Sequence, residues 1–454
     1  MRYYTEKTKR IPITEEVDVL VIGGGTAGAI AAIAAGRMKV KTLIIEQFGF
    51  LGGSQTGALV TPMMHNQVNG IQLNPGIGME IMERLNQTGD TGGDNLGWFN
   101  AEILKYVLDE AVAEAGVRVR FHTVAADAIV EKGKIKGVIV ESKSGRQAIL
   151  AKQVIDCTGD ADIAVRAGVP YSSGRDEDGM NQAMSLRFHL GNIDLPKFCK
   201  FMNQIAPDRK FEHYPNHLHT ASVWGTDWAL VKYFEKGVKS GILKRSDGDY
   251  FQLFSVPGRP NELSFNCPRI SDRVKGYDVT DLTYAQLEGR KKIRRLVAFM
   301  RKYFPGFEQA YIVFTAPMVG IRESRRIKGE HILSIDDILS ARKFPDSVAR
   351  NNYPVDIHNP KGTGTKFYSQ LKPGEFHEVP YRCLVPLKVD NLLVAGRCIS
   401  ATFEAQSSIR IQSDCYAFGQ AAGFAAALCV KKKTTPRQLD YKYLKPYLPK
   451  PKIQ

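Results

Sequence analysis

A short polar run around residue 322 carries the side chains best suited to chemistry on a charged substrate. It contains Arg322, Glu323 and Arg325 and is flanked by apolar residues. A guanidinium can bind a carboxylate through two parallel hydrogen bonds, or it can pass on a proton. If the run is a strand, alternation puts Glu323 and Arg325 on one face and Arg322 on the other. The alternative is an internal Arg–Glu network that holds two domains together.

Histidines are the other candidates for acid–base chemistry. His65 follows a glycine-rich segment, His358 lies within an irregular stretch at residues 348–374, and His377 lies just after that stretch. Long loops without regular structure are often functional, so His358 and His377 are candidates for a lid or for proton transfer. His213, His217 and His219 have loose metal-like spacing, but no acidic pattern nearby suggests a site, and we therefore predict no metal site.

The elements that position these residues begin with a glycine-rich turn. Residues 17–22 form an apolar run typical of a buried parallel strand, and Gly23, Gly25 and Gly28 then match G-x-G-x-x-G. The helix that follows favours a phosphate at its N-terminus. A second strand ends at Glu46, which is placed to accept hydrogen bonds from an adenosine ribose. This order of elements predicts dinucleotide binding, and a purely structural glycine turn is the alternative.

Later segments indicate which dinucleotide is bound. Gly52 and Gly53 follow Glu46 closely, where a nicotinamide enzyme usually continues into another helix and strand. One further strand runs into a Thr-Gly-Asp turn at residues 158–160, and another runs into Gly396. This combination resembles the glutathione-reductase-type FAD fold, in the branch that includes fumarate reductases. Residues 317–331, 379–386 and 391–423 narrow the resemblance to the FAD-dependent oxidoreductase family, over roughly residues 15–430.

The resemblance implies an α/β fold: a Rossmann-like FAD-binding domain with a central parallel sheet, plus a second α+β substrate or cap domain. We expect the FAD-binding domain at residues 1–165 and 377–430, the cap domain at 166–376 and a basic C-terminal extension at 431–454. Together with the glycine motif, it predicts the residues that bind FAD: Gly23, Gly24, Gly25, Thr26, Ala27, Gly28, Glu46, Gln47, Gly52, Gly53, Ser54, Val124, Thr158, Gly159, Asp160, Gly396, Arg397 and Arg410.

Some roles follow from the resemblance alone. It implies that Val124 gives the adenine a backbone contact and that Arg397 lies beside the ribityl-phosphate region, where the wider superfamily often has an acid. It implies that Arg410 lies at the pyrimidine edge of the flavin, where a cation stabilises the reduced ring, with a structural salt bridge as the alternative. His65 is placed to reach the flavin as a base or a covalent tether, or it is an ordinary loop residue.

The predicted function is an FAD-dependent oxidoreductase that moves a hydride between flavin N5 and a small organic substrate between the two domains. Its catalytic candidates are Arg322, Glu323, Arg325 and His65. Dehydrogenation of a C–OH or C–N bond and reduction of an activated C=C bond both stay open. No second G-x-G-x-x-G follows a strand, so we expect an external electron acceptor or donor: oxygen, a carrier protein or a second substrate. The oligomeric state stays open as well.

Composition restricts the setting in which the protein works. The chain has 454 residues and 43% hydrophobic content, enough for two domains. No apolar run reaches the roughly 18 residues that a transmembrane helix needs. The first 16 residues are polar and do not resemble a secretory signal. Seven scattered cysteines include no C-x-x-C pair. We therefore expect a cytoplasmic protein without a disulfide framework.

The net charge of +15 suggests a second class of function: a flavin-binding electron-transfer or docking protein that acts through its basic surface. The basic residues concentrate at positions 290–302 and in the tail at 431–452. Apolar residues at helical spacing predict that the first group is the solvated face of a cap-domain helix. Prolines predict that the second is a surface extension. We therefore predict no nucleic-acid partner.

Overall fold

The strands and helices fall into three successive segments of the chain. The computed structural model describes residues 2–4, 8, 10–64, 66–92, 97–213, 218–222, 229–361 and 364–451. The first segment contains β1 (Ile13–Ile22), α1 (Thr26–Arg37), β2 (Thr42–Ile45), β3 (Gln67–Val68), β4 (Ile71–Gln72), α2 (Ile77–Gln87), β5 (Thr91–Gly92), β6 (Trp98–Phe99), α3 (Ala101–Glu114), β7 (Arg118–Arg120), β8 (Val124–Glu131), β9 (Lys134–Ser142), β10 (Gly145–Asp156) and α4 (Asp162–Arg166). The second contains β11 (Tyr171–Ser173), β12 (Met184–Ser185), β13 (Phe188–Gly191), α5 (Leu195–Ile205), β14 (His219–Ser222), α6 (Val231–Lys239), β15 (Phe251–Val256), β16 (Arg259–Phe265), β17 (Arg269–Ile270), α7 (Val279–Tyr303), β18 (Tyr311–Thr315), β19 (Arg325–Ile327), α8 (Ile335–Leu339), β20 (Ser347–Asn351), β21 (Val355–His358) and β22 (Thr365–Tyr368). The third contains β23 (His377–Pro380), β24 (Leu392–Val394), α9 (Phe403–Ile409), α10 (Gln412–Lys432) and α11 (Tyr441–Leu444).

The large sheet is parallel at its centre, as the buried apolar run at residues 17–22 predicts. Strands β7, β2, β1 and β10 lie side by side in parallel, and β24 returns from the far end of the sequence to pair with the last residues of β10. The first half of β10 pairs with β9 in a meander that includes β8. The predicted α/β fold with a Rossmann-like central sheet is therefore confirmed.

Helices α1 and α10 pack against each other through small side chains. A Cβ on Gly419 would lie 2.1 Å from the carbonyl oxygen of Ala27, and one on Gly423 would lie 2.2 Å from that of Ala31. Larger residues on α10 would push the helices apart. This contact brings the start of α10, at the C-terminal end of the sequence, beside the turn after β1.

The second sheet is antiparallel and belongs to the middle segment. Its strand order is β14-β15-β16-β13-β18, and its core is rich in phenylalanine, with the rings of Phe188 and Phe265 stacked 4.6 Å apart. Helix α7 packs on this core through Ile293, Leu296 and Met300, all buried. The helix predicted around positions 290–302 is confirmed as part of α7.

The basic face of α7 is less solvated than its sequence suggests. Lys292 is buried and donates to the backbone carbonyls of Ser246 and Arg269. Arg295 donates to Asp247, with Nε 2.7 Å from Oδ2. The prediction of a solvated basic face is therefore wrong at these two positions, because backbone carbonyls and an aspartate of the middle segment pack against them.

The last described residues pack onto the segment that carries β24. Leu444 is fully buried, the hydroxyl of Tyr381 donates to the carbonyl of Pro436, and Arg437 pairs with Glu330 and Asp390. All seven cysteines are free and buried. Within the described ranges, no helix combines the length and apolar character needed to span a bilayer.

Candidate functional site

The turn between β1 and α1 leaves open space at Gly25. Gly23 adopts a φ of +89°, which favours glycine, and a Cβ there would lie 2.6 Å from the carbonyl oxygen of Cys157. A Cβ on Gly28 would lie 1.8 Å from the carbonyl oxygen of Gly23. At Gly25 the nearest described atom to such a Cβ is the Cα of Gly53, at 3.7 Å. The turn therefore needs Gly23 and Gly28 for packing, while Gly25 leaves room for a ligand's phosphates.

Glu46 ends β2 with its carboxylate tied to this turn. The side chain is 6% exposed, and its two oxygens accept hydrogen bonds from the backbone N–H of Gly24, at 2.7 Å, and of Phe48, at 2.9 Å. Burial raises the pKa of Glu46, and these hydrogen bonds oppose the shift. Each carboxylate oxygen can accept a further bond. Glu46 is therefore a buried acceptor, which suits the hydroxyl groups of a ribose.

The Thr-Gly-Asp turn at residues 158–160 is held in place by Asp156, at the end of β10. The fully buried carboxylate of Asp156 accepts from the backbone and the hydroxyl of Thr158. It also accepts from the backbone N–H of Ile163 and Ala164, in the first turn of α4. No role for Asp156 was predicted, although its position two residues before the turn was an available signal.

Arg397, in the turn after β24, connects the turn at residues 158–160 to Ser324 of the middle segment. Its Nη2 lies 2.8 Å from Oδ1 of Asp160, and its Nη1 donates to the hydroxyl of Ser324 at 2.9 Å. That hydroxyl donates in turn to Asp160. An arginine is therefore accommodated here because Asp160 supplies the negative charge from a neighbouring turn.

These turns open onto one cavity of about 460 Å³. Most of the predicted FAD-binding residues line it: Gly23, Gly25, Thr26, Ala27, Glu46, Gln47, Gly53, Ser54, Val124, Thr158, Gly159, Asp160, Gly396, Arg397 and Arg410. Gly24, Gly28 and Gly52 are not part of the lining and shape the turns behind it, with the N–H of Gly52 donating to the carbonyl of Gly24.

The cap side of the cavity was not predicted from the sequence. Tyr277, Gln286, Met318 and Ile321 line it, together with other residues of the same segments. Arg410, directly after α9, also lines the cavity, and its Nη2 is 3.2 Å from Oδ2 of Asp356. One cavity is therefore bounded by both segments of the predicted FAD-binding domain and by the predicted cap domain.

The side chains of the polar run at residues 322–326 lie in three different environments. The prediction of an alternating strand is wrong, because only Arg325 and Arg326 of the run lie in a strand, β19, and the residues before them follow an irregular path. Glu323 is fully buried and pairs with Arg326. Arg325 pairs with Asp162 and lies over the ring of Tyr277. The Arg–Glu network and the candidate substrate arginine are therefore both present, at different residues.

Of the residues in this run, Arg322 interacts electrostatically with Arg410, which lines the cavity. It is 9% exposed and donates to the carbonyl of Ala183 at 2.7 Å. Burial lowers its pKa to about 9, and the charges of Arg410 and Arg269 act in the same direction. Arg322 is thus a buried cation beside other cations, which favours an anionic ligand.

Asp356 and His358 flank these arginines on β21. His358 Nδ1 accepts from Arg269 Nη2 at 2.9 Å, and its Nε2 lies 3.4 Å from Oδ1 of Asp356. Burial lowers the pKa of His358 to about 3, and the charge of Arg322 contributes. Burial acts to raise the pKa of Asp356, but His358, Arg410 and Arg322 together hold it below its usual value. A neutral histidine and an ionised aspartate therefore stand beside the cavity.

Of the other histidine candidates, His377 does not line the cavity. His377 is fully buried in β23, and neither ring nitrogen has a hydrogen-bond partner among the described residues. Burial lowers its pKa to about 3. His65 lies outside the described residues, so its predicted role as a base or tether stays a prediction.

Comparison with known proteins identifies the chain. The sequence model of the FAD dependent oxidoreductase family matches residues 18–448. The chain belongs to this family. The cofactor of this FAD dependent oxidoreductase is FAD, and the open space at Gly25 with the buried acceptor at Glu46 fits its pyrophosphate and ribose.

Matches to individual relatives cover less of the chain than the match to the family model does. Thiamine thiazole synthase of Methanococcus aeolicus is 31% identical over 159 residues, which are 33% of this chain and 57% of that protein. Digeranylgeranylglycerophospholipid reductase of Methanosarcina acetivorans is 25% identical over 283 residues, which are 58% of this chain and 67% of that protein. The chain thus spans little more than half the length of the thiamine thiazole synthases that it matches.

Among solved structures, a geranylgeranyl bacteriochlorophyll reductase-like protein from Thermoplasma acidophilum is 15% identical, with a TM-score of 0.45. The match covers 95% of this chain and 82% of that one.

Proposed function

We propose that the protein transfers a hydride between flavin N5 and a small organic substrate held between its two domains. The observation that carries this proposal is that Gly25 of the glycine turn, Arg410 and the cap residues Tyr277 and Met318 all line the same cavity. A cofactor bound along the turns would therefore extend its ring toward the cap domain.

The proposal assigns the FAD contacts to the residues that line the turns. Gly25 admits the pyrophosphate, Glu46 accepts from the adenosine ribose, and Val124 contacts the adenine through its backbone. The Thr158-Gly159-Asp160 turn and Gly396-Arg397 border the middle of the cofactor. Arg410 supplies positive charge at the far end of the cavity, while its contact with Asp356 fixes the side chain. The domain boundaries at residues 165, 376 and 430 belong to the same proposal.

FAD supplies hydride transfer at N5 when it is bound. Arg322 is our candidate for binding or protonating the substrate, because the other predicted catalytic side chains have partners of their own. Glu323 is occupied by Arg326, and Arg325 by Asp162. The lowered pKa of Arg322 makes its guanidinium a better proton donor than an exposed arginine.

The test is anaerobic reduction of the purified holoenzyme by candidate organic substrates, followed by the visible absorbance of the flavin. We expect bleaching with a substrate and recovery when oxygen, a carrier protein or a second substrate is added. Arg322→Leu should retain FAD and lose reduction by at least about tenfold, which corresponds to ~1.4 kcal/mol. A change mainly in KM indicates substrate binding, and equal loss of kcat and kcat/KM indicates proton donation.

Arg146→Leu is the matched control. Arg146 pairs with Glu141 on the exposed β9–β10 hairpin, away from the cavity. The flavin of the Arg146→Leu protein should be reduced and reoxidised as in the unchanged protein. Normal turnover by Arg322→Leu would remove Arg322 from the reaction, and a flavin that no organic substrate reduces or reoxidises would contradict the proposed function.

A further inference from the structure

We propose that the substrate carries a carboxylate and binds through four arginines, here called the arginine cluster: Arg187, Arg269 and Arg322, which are buried, and Arg410, which is partly buried. The inference rests on the function proposed above, since it places the substrate at the Arg410 end of the cavity. Arg410 lines that cavity, and so does Ile321, the neighbour of Arg322.

The arginine cluster carries more positive charge than its surroundings neutralise. Arg187 and Arg269 are each 1% exposed. The carboxylates that act on the cluster are Asp356, which accepts from Arg410, and Asp249, which also faces Lys292. His358 adds no charge, because its Nδ1 accepts a hydrogen bond from Arg269 and burial keeps the ring neutral. Four guanidinium groups thus face two carboxylates, and a buried charge without a partner is costly.

The hydrogen bonding of the arginine cluster is also incomplete. Nε and Nη2 of Arg187, Nε of Arg269 and Nε of Arg410 are buried and have no partner among the described residues. The amide nitrogen of Gln182, a fully buried side chain, likewise has none, although its oxygen accepts from the N–H of His358. All five are N–H donors, so what the site lacks is an acceptor.

Aromatic rings hold two of the guanidinium groups by their faces. Arg187 lies 4.9 Å from the ring centroid of Phe254, and Arg269 lies 5.0 Å from that of Tyr250. A guanidinium that lies over an aromatic ring can still donate through N–H groups at its edge. Two parallel edge N–H groups match the two oxygens of a planar carboxylate, which supplies both the missing charge and the missing acceptors.

The test measures binding to the oxidised holoenzyme, without turnover. The probes are acetate, malonate, succinate and benzoate, with succinamide as the uncharged counterpart of succinate and inorganic phosphate as the competing oxyanion. We expect at least one carboxylate to perturb the flavin spectrum saturably and to raise the melting temperature. Succinamide should do neither. Failure of every carboxylate, or tighter binding of phosphate than of any carboxylate, would overturn the inference.

Two variants separate binding from folding. Arg187→Gln should raise the Kd for the carboxylate at least tenfold. It should also melt at or above the temperature of the unchanged protein without ligand, because it relieves repulsion among the arginines. Arg146→Gln, the exposed control, should keep the original Kd. An Arg187→Gln protein that binds carboxylates normally, or that melts well below the unchanged protein, would show that Arg187 is only structural.

The two proposals fail in distinguishable ways. If carboxylates do not bind but an uncharged substrate still reduces the flavin, the substrate class is wrong and hydride transfer stands. If carboxylates bind through the arginine cluster but no substrate exchanges electrons with the flavin, the site is an anion site and the proposed hydride transfer is wrong.

Discussion

The carboxylate of Glu323 accepts a hydrogen bond from the guanidinium of Arg326, and both side chains are almost completely buried. The amide of Asn181 and the backbone N–H of Gly174 also donate to Glu323. Arg326 in turn donates to the carbonyls of Gly174 and Ala401. The ion pair therefore joins the cap domain to the segment after β24 and is separate from Arg322.

Breaking this pair should destabilise the protein rather than change its chemistry. Glu323→Ala leaves the guanidinium of Arg326 buried without a counter-charge, which typically costs about 3–5 kcal/mol. Urea unfolding measures the loss. Glu141→Ala removes an exposed partner of Arg146 and should cost no more than about 1 kcal/mol. If Glu323→Ala is as stable as Glu141→Ala, the buried pair does not hold the domains together.

Two glycines of the same turn should respond differently to substitution. Gly25→Val places its side chain in the open space, and the φ of −71° at Gly25 suits any residue. We expect a folded protein that has lost its FAD. Gly28→Val would drive its side chain into the carbonyl of Gly23, so the fold itself should be lost.

Flavin absorbance per chain and thermal unfolding of the apoprotein distinguish these outcomes. Gly25→Val should melt within a few degrees of the unchanged apoprotein and contain no flavin. Full flavin content in Gly25→Val would contradict the placement of the pyrophosphate at this turn.

Most of the local fold could be predicted from the sequence. The strand-turn-helix unit at β1, α1 and β2 depends on apolar runs and glycines that are neighbours in the chain. The hairpin of β8 and β9 likewise turns at Lys132 and Gly133, residues that are typical of such turns. Helix α7 shows its buried positions at helical spacing. In each case the residues that determine the local structure are close to one another in the chain.

The site could be predicted only in part, because its partners are distant in sequence. Asp160 and Arg397 meet across more than 230 positions, a pairing that no local pattern contains. Period-two alternation applies only to an extended strand, so it could not assign faces to Arg322 and Glu323, which lie outside β19. The residues around Arg187 and Arg269 match no motif, and these two arginines come close to Arg322 only in the folded protein.

The buried histidines should make the protein lose stability as the pH falls. Burial lowers the pKa of His377 from 6.5 to about 3, so between these values the unfolded chain binds a proton at this position and the folded protein does not. The free energy of unfolding should therefore decrease by up to about 1.4 kcal/mol per pH unit below pH ~6.5 on account of His377. His377→Phe cannot take up this proton, so its stability should fall less steeply than that of the unchanged protein between pH ~7 and ~5, as urea unfolding at successive pH values will show. At pH ~8 His377 is neutral in both the folded protein and the unfolded chain. A difference in the free energy of unfolding between the two proteins at that pH therefore measures packing alone. Parallel stability curves from pH ~8 down to ~5 would mean that His377 takes up its proton as readily in the folded protein as in the unfolded chain.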